Sequence, residues 1–306
     1  MNDAPQSPQI TAVIPAFNEE HTIGDVVREA LVHAKTVIVV DDGSSDHTGR
    51  VAVEFGALVL KHPRNLGYGA ALSTGFNYFR NNGAGILVVL DGDGQHVPAE
   101  IPRLVKPLLD GQADIAIGSR FMNQEHRVAV PRYRKFGIGM INRAWRIASG
   151  DVLTDTQCGF RAYTREAVNK MEIRESSMSA SLEILGQAAD KDLRIVEVPV
   201  SVNYEGSTST VKPGRHGIEL VNYVLRKLKE ERPLLIFGGS GVVLTIVGIA
   251  FGILSVNSYF ETRYLPFGPT MIAAIAIYLG TLMIFGGLIL NAIQNLAARL
   301  DEKRLG

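Results

Sequence analysis

Short apolar runs alternate with amphipathic stretches along the first two thirds of the chain. ITAVIPA, beginning at Ile10, has the length and continuity of a buried strand, and TIGDVVREALVHA places Ile23, Val26, Val27, Ala30 and Leu31 on one helical face. TVIVV predicts a second strand, followed by DDGSSDHTGRVAVEFG, in which Asp46 can cap a helix that stops at Gly56. ALVL reads as a third strand and GAALSTGFNYFRNNG as a helix closed by glycine. The strand GILVVL, a helix near PAEIPRLVKPLLDG and the strand ADIAIGS continue the alternation. Strands that are apolar throughout, with helices between them, predict an α/β fold: a mostly parallel sheet covered on both faces.

Past Arg232 the pattern changes. PLLIFGGSGVVLTIVGIAFGILSV (233–256) and PTMIAAIAIYLGTLMIFGGLILNAI (269–293) carry no charge, and each exceeds the roughly 20 residues needed to cross a bilayer. Arg226, Lys227, Lys229 and Arg232 precede the first run, while Arg299, Lys303 and Arg304 follow the second. The connecting NSYFETRYLPFG sets only Arg263 against Glu261. The positive-inside rule therefore predicts an integral protein of the cell membrane with both termini cytoplasmic. Gly248 and Gly252 form a GxxxG pair and Gly286–Gly287 a second small face, able to pack the hairpin or to form a homo-oligomer. HGIELVNYVLRKLKEE places Ile218, Val221, Val224, Leu225 and Leu228 on one face and predicts an interfacial helix leading into the first span. The chain then divides into a cytoplasmic domain at 1–213, an amphipathic juxtamembrane helix at 214–232, two spans within 233–293 and a cytoplasmic tail at 294–306.

Composition narrows the chemistry. The 31 basic and 31 acidic residues cancel, so no global attraction to nucleic acid is expected. The single cysteine, Cys158, excludes an internal disulfide framework and fits a small buried hydrophobe. The polar start MNDAPQSPQI does not read as a signal peptide. GxGxxG is absent after the first strand, as is GxxxxGK[ST] anywhere, which argues against dinucleotide and P-loop chemistry. The histidines show no metal-ligand spacing, and His21, His47, His62 and His96 are expected at the surface or in polar loops.

Three strand ends carry acids: PAFNEE, DDGSSD and DGDGQH. In open α/β sheets ligands gather beyond the carboxyl ends of strands. Two carboxylates separated by one glycine repel unless a cation or hydrogen-bond donor lies between them. Oxygen ligands match Mg²⁺ or Mn²⁺, hard cations that commonly bridge to substrate phosphates. Asp93 and Gln95 are the expected metal ligands, with Asp91 orienting a sugar or ribose, and Gly92 and Gly94 letting the backbone approach the substrate.

VIPAFNEE, VIVVDDGSSD, NLGYGAALSTGF, VVLDGDGQHVP and IAIGSRF, in that order, resemble the family-2 glycosyltransferases of GT-A fold. Within that family they are similar to the dolichol-phosphate mannose synthase and polyprenyl-phosphate hexosyltransferase group, over roughly residues 10–204. The resemblance implies that Pro15, Phe17 and Glu19 contact the nucleoside and that Asp42 binds base or ribose. It makes Asp91 and Asp93 the metal-associated pair with Gln95, and Arg120 a catalytic cation near the phosphates beside Asp93. Asp155, Gln157 and Arg161 become candidates for sugar or acceptor contacts, with a purely structural role equally open for Arg161, and Glu183 could face the site. The sequence departs from mannose synthases where an arginine and a lysine are usual: Asn203 and Ser209 stand there, with Lys212, Arg215 or His216 as substitutes, and Ile138 replaces an acceptor-phosphate serine.

The implied reaction is inverting, metal-dependent transfer of a hexose from GDP-mannose, UDP-glucose or UDP-GlcNAc to a polyprenyl or dolichyl phosphate in the bilayer. A phosphate nucleophile is already anionic and needs no strong base. Arg132, Arg134 and Lys135, just before the apolar Ile138, Met140, Ile141 and Trp145, would receive the acceptor phosphate at the membrane surface. The competing readings are a family-2 transferase with a saccharide hydroxyl acceptor and a non-catalytic nucleotide-sugar-binding scaffold; QxxRW, the mark of a processive synthase, is absent.

Overall fold

The computed structural model describes residues 9–122, 139, 142, 153–203 and 234–305. The chain divides into two units between Tyr223 and Val224. That boundary falls inside the stretch 214–232, which lies outside the described residues.

The first unit is built on a seven-stranded sheet among the described residues, in the order β3-β2-β1-β4-β6-β5-β7. The strands are β1 (Ile10–Ala16), β2 (Thr36–Asp41), β3 (Leu58–Lys61), β4 (Ile86–Val89), β5 (Ile115–Ser119), β6 (Arg161–Thr164) and β7 (Ile195–Pro199). β1, β2 and β4 hold Val13, Ile14, Ile38, Val39, Leu87 and Val88 out of solvent, as strands covered on both faces must, while β3 at the sheet's margin is partly exposed. The helices are α1 (Ile23–His33), α2 (Thr48–Glu54), α3 (Tyr68–Asn82), α4 (Ile101–Leu109), α5 (Arg165–Lys170) and α6 (Ala180–Asp190). α1 buries Ile23, Val26, Val27 and Ala30, the face its spacing predicts, while Leu31 lies at the exposed margin. His47, not Asp46, takes the N-cap position of α2, but the Asp46 carboxylate accepts from the Thr48 amide and hydroxyl at the helix start, and Gly56 closes the turn beyond the helix at φ 96°.

One strand was not legible in the pattern. β6 runs antiparallel between β4 and β5, pairing Val89 and Ile117 with Arg161. The other strands share one direction, so β6 alone begins at the edge where they end.

The second unit is a helical hairpin. A π-turn (Leu234–Gly238) leads into α7 (Gly239–Thr262), and α8 follows (Phe267–Leu305). Ile236–Thr262 and Phe267–Gln294 are long and apolar enough to cross a membrane, and 17% and 22% of their apolar windows are buried within the protein. The connection is shorter than the uncharged runs suggested. Asn257 to Thr262 stay helical, because polarity alone does not end a helix; the turn comes where Arg263 adopts φ 61° and Pro266 follows. Small residues set the spacing between α7 and α8. A Cβ at Gly241 would lie 2.6 Å from the Gly280 carbonyl oxygen, and one at Gly248 2.7 Å from Ile277. Gly248 and Gly287 thus serve packing within the hairpin, while a Cβ at Gly286 would meet open space.

Candidate active site

The carboxyl edge of the sheet is assembled from loops that tie one another down. Asn18, just past β1, adopts φ 58°, and its side chain accepts from the Ser45 amide. Its own amide donates to the Ser44 hydroxyl at 3.0 Å. Glu19 N–H donates to Thr48 Oγ1 at 2.8 Å, and Thr22 Oγ1 donates to the Gly92 carbonyl at 2.7 Å. The β1, β2 and β4 loops therefore form one hydrogen-bonded rim. Asp93 folds its own loop, accepting from the Gln95 amide at 3.0 Å, and Gly94 at φ 73° completes that turn.

Asp91 lies at the centre. Its Oδ1 is buried and hydrogen-bonds to nothing in the protein, while its amide donates to His96 Nδ1 at 3.2 Å. Burial pushes its carboxyl up to about 6, against the opposing pull of the Arg120 and Arg161 charges and the Tyr68 hydroxyl. Glu19 rises to about 7, through burial first and the nearby Asp93 charge second. A Cβ at Gly159 would lie 2.7 Å from Asp91 Oδ2, so only glycine leaves that oxygen room. Among the described residues no three His, Cys, Asp or Glu side chains form a metal centre by themselves. The donor set is all oxygen, and the orphaned Oδ1 of Asp91 fits a hard cation or a ribose hydroxyl.

Arg120, at the end of β5, is held by Asp155: Nε and Nη2 reach the two carboxylate oxygens at 2.6 and 2.8 Å, and its backbone amide donates at 3.2 Å. Asp155 is wholly buried. The segment carrying it is clamped from both sides, since Glu197 accepts from the Thr154 and Asp155 amides and Asn142 bonds Thr154 and Thr156. Because β6 starts at this edge, residues that precede the strand reach the site, the reverse of the usual order.

Several sequence expectations change here. Arg161 donates to the carbonyls of Thr156, Cys158 and Ser181 at 2.8–2.9 Å; of its two readings the structural one describes these bonds. Glu183 is buried, and its carboxylate accepts from the Arg174 and Glu175 amides. His62 and His96 are buried, not surface residues. His62 bridges Asp42 at 2.6 Å and Thr74 at 2.9 Å, and His96 stacks on Phe160, with burial pushing it down to about 4. Asp42 also accepts from the Leu66 and Gly67 amides at 2.9 and 2.8 Å, so its carboxylate anchors the loop entering α3. Pro15 is buried within β1 opposite Val40, and Phe17 is half-buried beyond it. A Cβ at Gly92 would lie 3.2 Å from Ala16 and 3.3 Å from Ile23, so the glycine also lets the acid loop pack on β1 and α1. Gln95 is buried, and its carbonyl accepts from Asn203, which puts that departure from the mannose synthases beside the acid loop. Arg132, Arg134, Lys135, Ile138, Ser209 and Lys212 lie outside the described residues. Tyr68, Asn142 and Glu197 were missed from sequence. Only Glu197 left a signal, a lone carboxylate in the apolar run IVEVPV.

A mostly parallel sheet with acids along its carboxyl edge, followed by two apolar helices long enough to cross a bilayer, defines an α/β domain of glycosyltransferase type. Residues 11–171 match the model of Glycosyl transferase family 2, and the chain belongs to that family. It is a glycosyltransferase. It is 30% identical over 215 residues to a UDP-N-acetylglucosamine–dolichyl-phosphate N-acetylglucosaminyltransferase of Methanococcus voltae, covering 64% of this chain and 86% of that protein. It is 28% identical over 277 residues to an undecaprenyl-phosphate 4-deoxy-4-formamido-L-arabinose transferase of Klebsiella pneumoniae, covering 87% and 79% of the two chains. Its fold matches glucosyl-3-phosphoglycerate synthase of Mycobacterium tuberculosis in complex with Mn²⁺, UDP and glucosyl-3-phosphoglycerate, with a TM-score of 0.58, 22% identity, and 72% and 80% coverage.

Proposed function

We propose that the protein transfers a hexose from a nucleoside-diphosphate sugar to a polyprenyl or dolichyl phosphate held in the bilayer. The observation that carries this reading is the union, in one chain, of an acid-lined sheet edge and two bilayer-length apolar helices. The two relatives named for dolichyl- and undecaprenyl-phosphate transfer support the acceptor class. Asp91 and Asp93, with Gln95, would hold Mg²⁺ or Mn²⁺, the ion bound by the structural neighbour. When bound, the ion offsets negative charge on the diphosphate leaving group. Asp91 keeps an unsatisfied oxygen for the ribose or the ion, Asp93 shapes the loop, and Arg120 supplies the fixed cation facing the phosphates. The acceptor phosphate attacks the anomeric carbon opposite the leaving diphosphate and inverts it, with Arg132, Arg134, Lys135 and Lys212 as the basic residues near the lipid. The catalytic domain and both chain ends lie in the cytoplasm, where the flanking lysines and arginines favour them.

The test is transfer of radiolabelled sugar into organic-extractable lipid by the purified protein with Mn²⁺ or Mg²⁺. It uses undecaprenyl or dolichyl phosphate and GDP-mannose, UDP-glucose or UDP-N-acetylglucosamine. Lipid-soluble label from one donor, abolished by EDTA, is the expected result. Label passing only to a saccharide hydroxyl would overturn the acceptor assignment.

A further inference from the structure

Glu197 stands on β7, the edge strand beside β5, in a run that is otherwise apolar. In register it pairs with Ile117, two residues before Ser119 and three before Arg120. Its carboxylate takes three donors: the Thr154 amide, 2.9 Å from both oxygens, the Thr154 hydroxyl at 2.9 Å and the Asp155 amide at 2.8 Å. The Ser119 hydroxyl lies 2.7 Å from the same Thr154 hydroxyl. One face of the β5–β7 ribbon thus grips the peptide whose next side chain, Asp155, makes the bidentate pair with Arg120.

We infer that Glu197 is a positioning residue for the transfer reaction, fixing the Thr154–Asp155 peptide so that Asp155 presents the Arg120 guanidinium in one orientation toward the donor diphosphate. This rests on the reading of Arg120 given above. The residue type follows from the donor count. A carboxylate has only acceptors and can satisfy three converging donors, whereas an amide would turn its own N–H₂ toward one of them. Arginine has many rotamers, and a guanidinium held in advance does not spend binding energy on being ordered. Nothing in this role requires Glu197 to touch substrate.

The experiment is a double-mutant cycle on the full chain in detergent, with undecaprenyl phosphate and whichever of the three donors is turned over. Glu197→Gln is expected to lower kcat by roughly 10- to 100-fold, with the acceptor KM changed by less than about threefold. In an Arg120→Lys background the same change should cost less than about threefold, because the guanidinium it positions is gone. Thr154→Val, which removes one donor, replaces Glu197→Gln if that variant loses its cooperative melt, and should show a smaller loss with the same non-additivity. Multiplying effects, or an unchanged kcat in Glu197→Gln, overturn the inference alone. A normal rate in Arg120→Lys overturns it together with the placement of Arg120. Should no donor give a lipid product, the cycle is read on the dissociation constants of Mn²⁺–UDP and Mn²⁺–GDP, where the same coupling is expected and additivity refutes it.

Discussion

Asp91 and Glu19 hold their protons to a higher pH than free carboxylic acids do, and this couples stability to function with opposite signs. Their ordinary values of 3.8 and 4.5 rise to about 6 and about 7 on folding. Between about pH 4 and about pH 7 the folded protein therefore binds protons that the unfolded chain has released, and stability falls as pH rises through that window. Ionised Asp91 is the form that would hold a cation beside Asp93, so activity should rise as pH passes through about 6. Asp91→Asn carries no charge at any pH. In thermal melts of metal-free protein it should melt about 2–4 °C above the parent at pH 8, with no gain at pH 4, and transfer should be lost. Parallel pH slopes for parent and variant would exclude this account of Asp91. The acids were legible from sequence because a DxD pattern after an apolar run is local. The pairing of Arg120 with Asp155 was not, since the two stand 35 positions apart and meet only through strand order. The burial of His62, His96 and Glu183 was hidden for the same reason: polarity shows in the sequence, but the chain that covers a polar group does not.

At the scale of elements, the parallel strands and their helices followed from continuous apolar runs, while β6 escaped. RAYT is four residues long, opens with an arginine and runs against its neighbours, so neither periodicity nor composition marks it. Arg161 ties the start of that strand to its surroundings. It carries a charge into the interior, where the carbonyls of Thr156, Cys158 and Ser181 receive it. Arg161→Met would leave three carbonyls without that donor and should cost on the order of 3 kcal/mol. The check is a lower guanidinium midpoint with an unchanged slope. A midpoint equal to that of the parent would mean that the pairing of β6, and not its arginine, holds the 155–160 segment in place. In the hairpin the apolar runs located both helices but misjudged the turn, because helix ends are set by backbone conformation at Arg263 and Pro266 more than by polarity.

At the scale of the whole molecule, orientation in the membrane can be read from two residues. Cys158 is buried and its thiol is pushed up to about 12, chiefly by burial, so the native chain should be silent to maleimides. Tyr264, in the turn between the spans, is 81% exposed. With the termini cytoplasmic, Tyr264→Cys should react with a membrane-impermeant maleimide added to intact cells, while the parent does not. Labelling only after the cells are broken would reverse the assigned topology.

The antiparallel course of β6 has a consequence for how such a chain can diversify. The excursion that leaves the sheet after Ser119 re-enters it at Arg161, one strand away, where Ile117 and Arg161 are paired. Its two ends are neighbours, so its length can change at little cost in loop closure and with no change in strand order. Asp155 and Gly159, at its returning end, stay beside Arg120 and Asp91 whatever length precedes them. On the proposed reading, the two ends of the excursion serve the donor diphosphate and residues 132–135 within it serve the lipid phosphate, so the stretch between can be rewritten while its ends are kept.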